Sequence, residues 1–155
     1  MRIYVDMDGV LCDFKKRFHE LYGSDPELDY PKIKNSYYNN FEQIVEGGHF
    51  ANLDPMPDLQ EGLDFLNSLP FDTHQIFILT STAREKYFEQ LAIGKSTWLI
   101  DHDINYVPIF VPGKRFKKVY ARKGDILIDD TYSNIESWIE NGGIGIFPVS
   151  YTHLR

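Results

Sequence analysis

The chain has 155 residues, a formal net charge of −7, 43% apolar residues and 25% charged residues. That is the balance of one soluble globular domain, long enough to bury a core without disulfides or a structural metal, and it excludes a disordered chain. No apolar run approaches the roughly 18 residues of a membrane span, the acidic balance argues against an extended nucleic-acid footprint, and the single cysteine, Cys12, excludes an internal disulfide or a cysteine-based zinc site.

The first predicted element is a strand over 2–6. Met1-Arg2 leads straight into Ile3-Tyr4-Val5 and then into charge, too short an apolar stretch for a signal peptide, so a cytoplasmic protein is expected. Apolar residues at consecutive positions suit a strand covered on both faces. The strand ends in Asp6-Met7-Asp8-Gly9, where the glycine lets the chain turn away.

From 14 to 57 the alternation of strand and helix stops. The segment carries Phe18, Leu21, Tyr22, Tyr37, Tyr38, Phe41, Ile44 and Val45, with turn signals at Gly23-Ser24-Asp25-Pro26, Tyr30-Pro31 and Gly47-Gly48. So many aromatics do not stay solvated, and the reading is a small, mostly helical insertion of 14–57 into a core built from 1–13 and 58–155. Leu59, Leu63, Leu66 and Leu69 then recur at helical spacing, with Asp58 and Glu61 at the start and Pro70 as the stop.

A strand over 75–79 runs into Thr80-Ser81-Thr82-Ala83-Arg84, where hydroxyls just before an expected helix start can donate to a phosphate. Another over 107–111 leads through Pro112-Gly113 to Lys114. The six basic residues among 114–123 read mostly as a solvated helix face. A strand over 126–128 ends in Asp129-Asp130. Ile135, Trp138 and Ile139 mark a helix stopped by Asn141-Gly142-Gly143, and a last strand is predicted over 144–147.

Short apolar strands alternating with helices predict an α/β fold with a parallel, Rossmann-like sheet of about five strands. If the sheet is wound outward from the first strand through 75–79 and 107–111 on one side, and through 126–128 and 144–147 on the other, Asp6, Asp8, Asp129 and Asp130 meet at the carboxyl edge. At ~4 Å and an effective dielectric near 20, each ionised pair there repels by on the order of 4 kcal/mol. A cation is needed, and oxygen ligands without His or Cys point to magnesium. The five histidines fall at unrelated spacings.

Asp6-Met7-Asp8-Gly9-Val10-Leu11, Thr80 after an apolar strand, a lysine after the next strand and Ile128-Asp129-Asp130, in this order, resemble the four motifs of the haloacid dehalogenase-like (HAD) phosphohydrolases. The resemblance implies Asp6 as nucleophile, Asp8 as general acid/base, and Thr80 and Lys114 holding the phosphoryl group. It also implies a Mg2+ site drawing on Asp6, Asp8 through its backbone carbonyl, Asp130, and Asp129 either as a ligand or behind the ligands.

Asp8-Gly9-Val10-Leu11-Cys12-Asp13-Phe14 and the place of the insertion are similar to the 5'(3')-deoxyribonucleotidases of that superfamily. That likeness implies Phe14 against the nucleotide, Ser81 and Arg84 at the phosphate, and Lys95 within Lys95-Ser96-Thr97-Trp98 as a substrate-binding lysine. Arg84 stands where the family has lysine. Five additional residues before the fourth motif leave Lys117 as a rival to Lys114. The implied activity is magnesium-dependent hydrolysis of a small phosphate ester, a (deoxy)nucleoside monophosphate, with Tyr37, Tyr38 and Phe41 beside Phe14 as candidates to stack on a base. The alternatives are a superfamily phosphatase acting on another phosphate ester or a nucleic-acid end, and a non-enzymatic phosphoryl receiver.

Overall fold

A computed structural model describes residues 1–26, 34–70, 72 and 75–148 of the protein. The Tyr30-Pro31 turn, His74, His153 and the tail from 149 lie outside the described residues. In chain order come β1 (Ile3–Val5), α1 (Phe14–Tyr22), α2 (Lys34–Glu46), a short 3-10 turn (His49–Ala51), α3 (Leu59–Ser68) and β2 (Ile76–Ser81). They are followed by a 3-10 turn (Glu85–Tyr87), α4 (Phe88–Asp101), β3 (Val107–Val111), a 3-10 helix (Lys114–Tyr120), β4 (Ile126–Ile128), α5 (Tyr132–Glu140) and β5 (Ile144–Ile146).

The five strands pair in the order β3-β2-β1-β4-β5, parallel throughout, as the alternating pattern predicts. All of β1 is buried because the sheet is covered on both faces. Successive side chains alternate. Ile3 and Val5 enter a cluster with Ile76, Ile78, Leu66, Trp98 and Leu99, while Tyr4 enters the opposite one with Leu79, Val111, Leu127, Ile135 and Trp138. Each such large apolar side chain contributes about 1.5–3 kcal/mol when fully buried.

Register positions the chemistry. Val5 pairs with both Ile78 and Ile128, so β1 and β4 end level with each other. One residue on, the Asp6 amide still donates to the Ile128 carbonyl at 2.8 Å, which sets Asp6 beside Asp129 at the carboxyl edge.

The inserted segment packs on the Ile3/Val5 face. Phe18, Ile44, Val45 and Phe50 belong to the same buried cluster as β1, and the Trp98 indole N–H donates to the Leu53 carbonyl at 2.7 Å where the chain returns. Asp13 caps α1 by accepting the Lys16 amide, and Gly23 ends it in the left-handed conformation.

Three local expectations are corrected. Strand β2 runs two residues beyond 79, because Thr80 and Ser81 still pair with Phe110 and Val111. The helix expected directly after Thr82 starts later: Ala83 turns the chain at φ +63°, and α4 begins only at Phe88. Asp58 heads α3 without the side-chain capping bond expected with Glu61 in place.

Candidate active site

The carboxyl edge of the sheet forms the floor of a cavity of about 600 Å³. Asp6, Asp8, Gly9, Lys15, Ser81, Arg84, Lys114, Lys117, Asp130 and Asn134 contribute its polar wall; Phe14, Tyr37, Tyr38, Phe41, Phe50 and Tyr87 contribute aromatic rings. The aromatic part comes mainly from the inserted segment and the floor from the strand ends.

Asp6, Asp129 and Asp130 come together, with one carboxylate oxygen of each within 4.8 Å of the others. Burial pushes the Asp6 carboxyl well above its usual range; Lys117 opposes that shift, and the neighbouring acids add to it. Asp130 rises to about 6, first through burial and then through Asp129. An all-oxygen donor set of three clustered carboxylates fits a hard divalent cation such as magnesium.

Gly9 lets the loop pass over this cluster. Its φ is +82°, and a β-carbon there would stand 1.9 Å from Asp130 Oδ2.

Each acid of the first motif has its own buried lysine. Lys117 Nζ donates to Asp6 Oδ1 at 2.7 Å and to Asp129 Oδ2 at 2.9 Å. Burial alone would depress that ammonium, but the two carboxylates outweigh it and hold it charged well above the ordinary lysine range. Lys95 Nζ donates to Asp8 Oδ2 at 2.9 Å, to Thr80 Oγ1 at 2.7 Å and to the Ser81 carbonyl at 2.8 Å. The Cys12 thiol, kept protonated by burial and by Asp8 beside it, donates to Asp8 Oδ1 at 3.2 Å.

Asp129 accepts three hydrogen bonds. Its Oδ2 accepts from Lys117 and from Asn134 Nδ2 at 3.0 Å, and its Oδ1 accepts the Thr131 amide at 2.8 Å.

The sequence-predicted residues fall at different depths in the site. Lys114 is exposed at the mouth, whereas Lys117, one 3-10 turn further on, reaches Asp6. With three residues per turn, positions i and i+3 fall on one side of such a helix, so both lysines face the site at different depths. Of the basic run read as solvated, Lys117 is therefore the buried exception, at 3% exposure. Thr80 is fully buried behind Lys95, while Ser81 and Arg84 line the cavity, the guanidinium 4.5 Å from the Tyr38 ring centre. Phe14 lies partly buried, stacked on Phe50 at 5.5 Å. Asn134 escaped the sequence reading; its only signal is its place in the first turn of α5, five residues after Asp129.

Comparisons with known proteins place the chain in a family and agree with its fold. The profile of the family described as "5' nucleotidase, deoxy (Pyrimidine), cytosolic type C protein" matches residues 1–153. A human protein named 5'(3')-deoxyribonucleotidase, cytosolic type, is 29% identical over 150 residues, covering 84% of this chain and 70% of the relative. Two solved structures share the fold. A hydrolase from Streptococcus pneumoniae superposes with a TM-score of 0.55 at 15% identity, over 99% of this chain and 95% of that one. A HAD-superfamily hydrolase from Ehrlichia chaffeensis gives 0.52 at 14% identity, over 93% and 85%.

Proposed function

The chain belongs to the deoxy (pyrimidine) 5' nucleotidase family, cytosolic type C, and is a phosphoric monoester hydrolase; we propose that it releases phosphate from (deoxy)nucleoside monophosphates, with magnesium, through a phosphoaspartate on Asp6. The observation that carries this reading is the Asp6 carboxylate held 2.7 Å from Lys117, with Asp129 and Asp130 beside it, at the floor of an aromatic-walled cavity.

In the first step an Asp6 carboxylate oxygen attacks phosphorus, the bond from phosphorus to the ester oxygen breaks, and the departing nucleoside oxygen takes a proton from the Asp8 carboxylic acid. In the second, Asp8 as carboxylate removes a proton from water, the resulting hydroxide attacks phosphorus, and the bond to Asp6 breaks. Inorganic phosphate leaves, and Asp6 and Asp8 return to their starting forms. Lys117 holds Asp6 in one orientation and offsets charge that accumulates as the phosphoryl group arrives.

Asp6, Asp130 and the Asp8 backbone carbonyl would hold the magnesium ion, with Asp129 orienting Lys117 and Asn134 from behind. Bound there, the ion neutralises charge on the phosphoryl oxygens. Ser81 and Arg84 receive the phosphate from the β2 side, and Lys114 at the mouth attracts it. Residues 14–57 act as a cap over the core of 1–13 and 58–155, presenting Phe14, Tyr38 and Phe41 to a base.

A family relative named as cytosolic supports a cytoplasmic setting, and among the described residues no helix is long and apolar enough to cross a membrane. The test is phosphate release from a panel of ribo- and deoxyribonucleoside 5'- and 3'-monophosphates, sugar phosphates and 5'-phosphorylated oligonucleotides, with magnesium or with chelator. Magnesium-dependent turnover of the nucleotides, lost in Asp6→Asn, supports the proposal. Turnover restricted to sugar phosphates or oligonucleotide ends, or unaffected by Asp6→Asn, contradicts it.

A further inference from the structure

Resting on that reading of the site, we propose that Lys95 is a positioning residue: it fixes the Asp8 carboxylate for proton transfer and does not bind the substrate's phosphate.

An ammonium has three N–H donors and no acceptor. All three of Lys95 are engaged, by Asp8 Oδ2, Thr80 Oγ1 and the Ser81 carbonyl, at 2.7–2.9 Å. The residue is 1% exposed. No donor is left to meet a phosphate. Both side chains border the cavity, but Asp8 keeps 34% of its side-chain surface exposed against 1% for Lys95, so Asp8 is the one of the pair open to an incoming ester oxygen.

The arrangement constrains Asp8 from two sides. Lys95 holds Oδ2 and the Cys12 thiol reaches Oδ1 at 3.2 Å, which confines the carboxyl plane. Lys95 is itself aimed by α4. Trp98, three residues on and on the same face, is fully buried and anchors that helix through its N–H to the Leu53 carbonyl at 2.7 Å. Thr80 is one link further back: its hydroxyl accepts from Lys95 and orients that ammonium, and Ser81 is left as the strand-end hydroxyl in the cavity.

A residue that works through the general acid is distinguished from a phosphate binder by the leaving group. The alkoxide of a deoxynucleoside 5'-monophosphate needs a proton as it departs; the p-nitrophenolate of p-nitrophenyl phosphate does not. Measuring kcat and KM for Lys95→Met on both substrates tests the point. We expect kcat/KM to fall more for the nucleotide than for p-nitrophenyl phosphate by at least about tenfold, within the 10²–10⁴-fold scale of general acid–base catalysis, with the loss in kcat. In an Asp8→Asn background, Lys95→Met should add almost nothing.

The ratio between two substrates does not depend on how much of the variant is folded, so poor folding leaves the readout intact. Thr80→Val, which removes one Lys95 partner, should give the same leaving-group signature in smaller measure. Equal losses on both substrates, carried by KM and persisting in the Asp8→Asn background, would overturn the role of Lys95 while leaving the nucleotidase reading in place. A wild-type protein inert toward both substrates would overturn that reading and this inference with it.

Discussion

Lys117 Nζ lies 2.7 Å from Asp6 Oδ1, and both groups are buried. The contact joins a residue of the 3-10 helix after β3 to the end of β1, and the same ammonium is 2.9 Å from Asp129 at the end of β4. One cation therefore ties three parts of the chain together at the floor of the cavity. Lys117→Met should lower kcat by about 10²-fold or more, as loss of one preorganised group does elsewhere, and should cost about 3–5 kcal/mol of stability by leaving buried carboxylates uncompensated. Lys114→Ala should raise KM a few-fold and leave the melting temperature alone. Kinetics and thermal melts of the two variants check the contrast; equal effects would reject it.

The acidic cluster predicts how metal-free protein responds to pH. A carboxyl whose folded-state pKa lies above its unfolded value binds its proton more tightly when folded, so protonation favours the fold. Asp130 moves from 3.8 to about 6, a displacement worth on the order of 3 kcal/mol, and Asp6 moves in the same direction. In chelator, stability should rise as pH falls from 7.5 through 6 toward 5, by a few degrees in Tm. Magnesium should stabilise more at pH 7.5 than at 5.5, because protons and metal compete for the same oxygens. Melting curves with and without magnesium across this range measure both effects, and a chelated protein most stable at pH 7.5 would contradict them.

Gly9→Ala should cost at least about 10²-fold in kcat/KM. The new methyl would have to displace the Asp130 carboxylate, 1.9 Å away, and the left-handed φ of +82° adds about 1–2 kcal/mol of backbone strain. Gly124→Ala is the control: φ is +84° there and nothing lies within 4 Å, so it should lower Tm similarly and leave kcat unchanged. Assays of both variants separate strain from steric damage to the site.

On the aromatic side, Tyr38→Ala should raise KM for nucleotides by the equivalent of about 1–3 kcal/mol, the usual worth of one base stack, and leave KM for a base-free sugar phosphate nearly unaltered. Arg84→Ala, which removes the guanidinium lying over that ring, should raise KM for both substrates. A Tyr38 effect shared equally by the base-free substrate would show that the ring serves packing alone.

The acid-bearing strand ends were legible because a parallel sheet buried on both faces writes itself as short apolar runs, and each of two such runs stops at acids: Asp6 and Asp8, Asp129 and Asp130. Strand order entered only as a condition, which the sheet meets, and family membership followed from the motif order. The lysine depth was not legible: six basic residues in 114–123 read as a solvated helix face, and only a 3-10 repeat of three puts Lys117 under Lys114, against Asp6. Thr80 looked like a phosphate donor by its place at the strand end, but its burial depends on Lys95 arriving from α4, fifteen residues later. Asn134 was silent because a single amide in a helix's first turn reads as an ordinary surface residue until the fold brings it to Asp129. Contacts made by tertiary packing alone leave no periodic trace in sequence.

The proposed chemistry turns on Asp6 taking up the phosphoryl group. Rapid acid quench of the magnesium-loaded protein with a 32P-labelled deoxynucleoside monophosphate, followed by peptide mapping, tests it directly. Transient label is expected on the peptide containing Asp6, released by hydroxylamine as an acyl phosphate is, and absent from Asp6→Asn. Turnover at an undiminished rate with no label on that peptide, or with label on another residue, would contradict it.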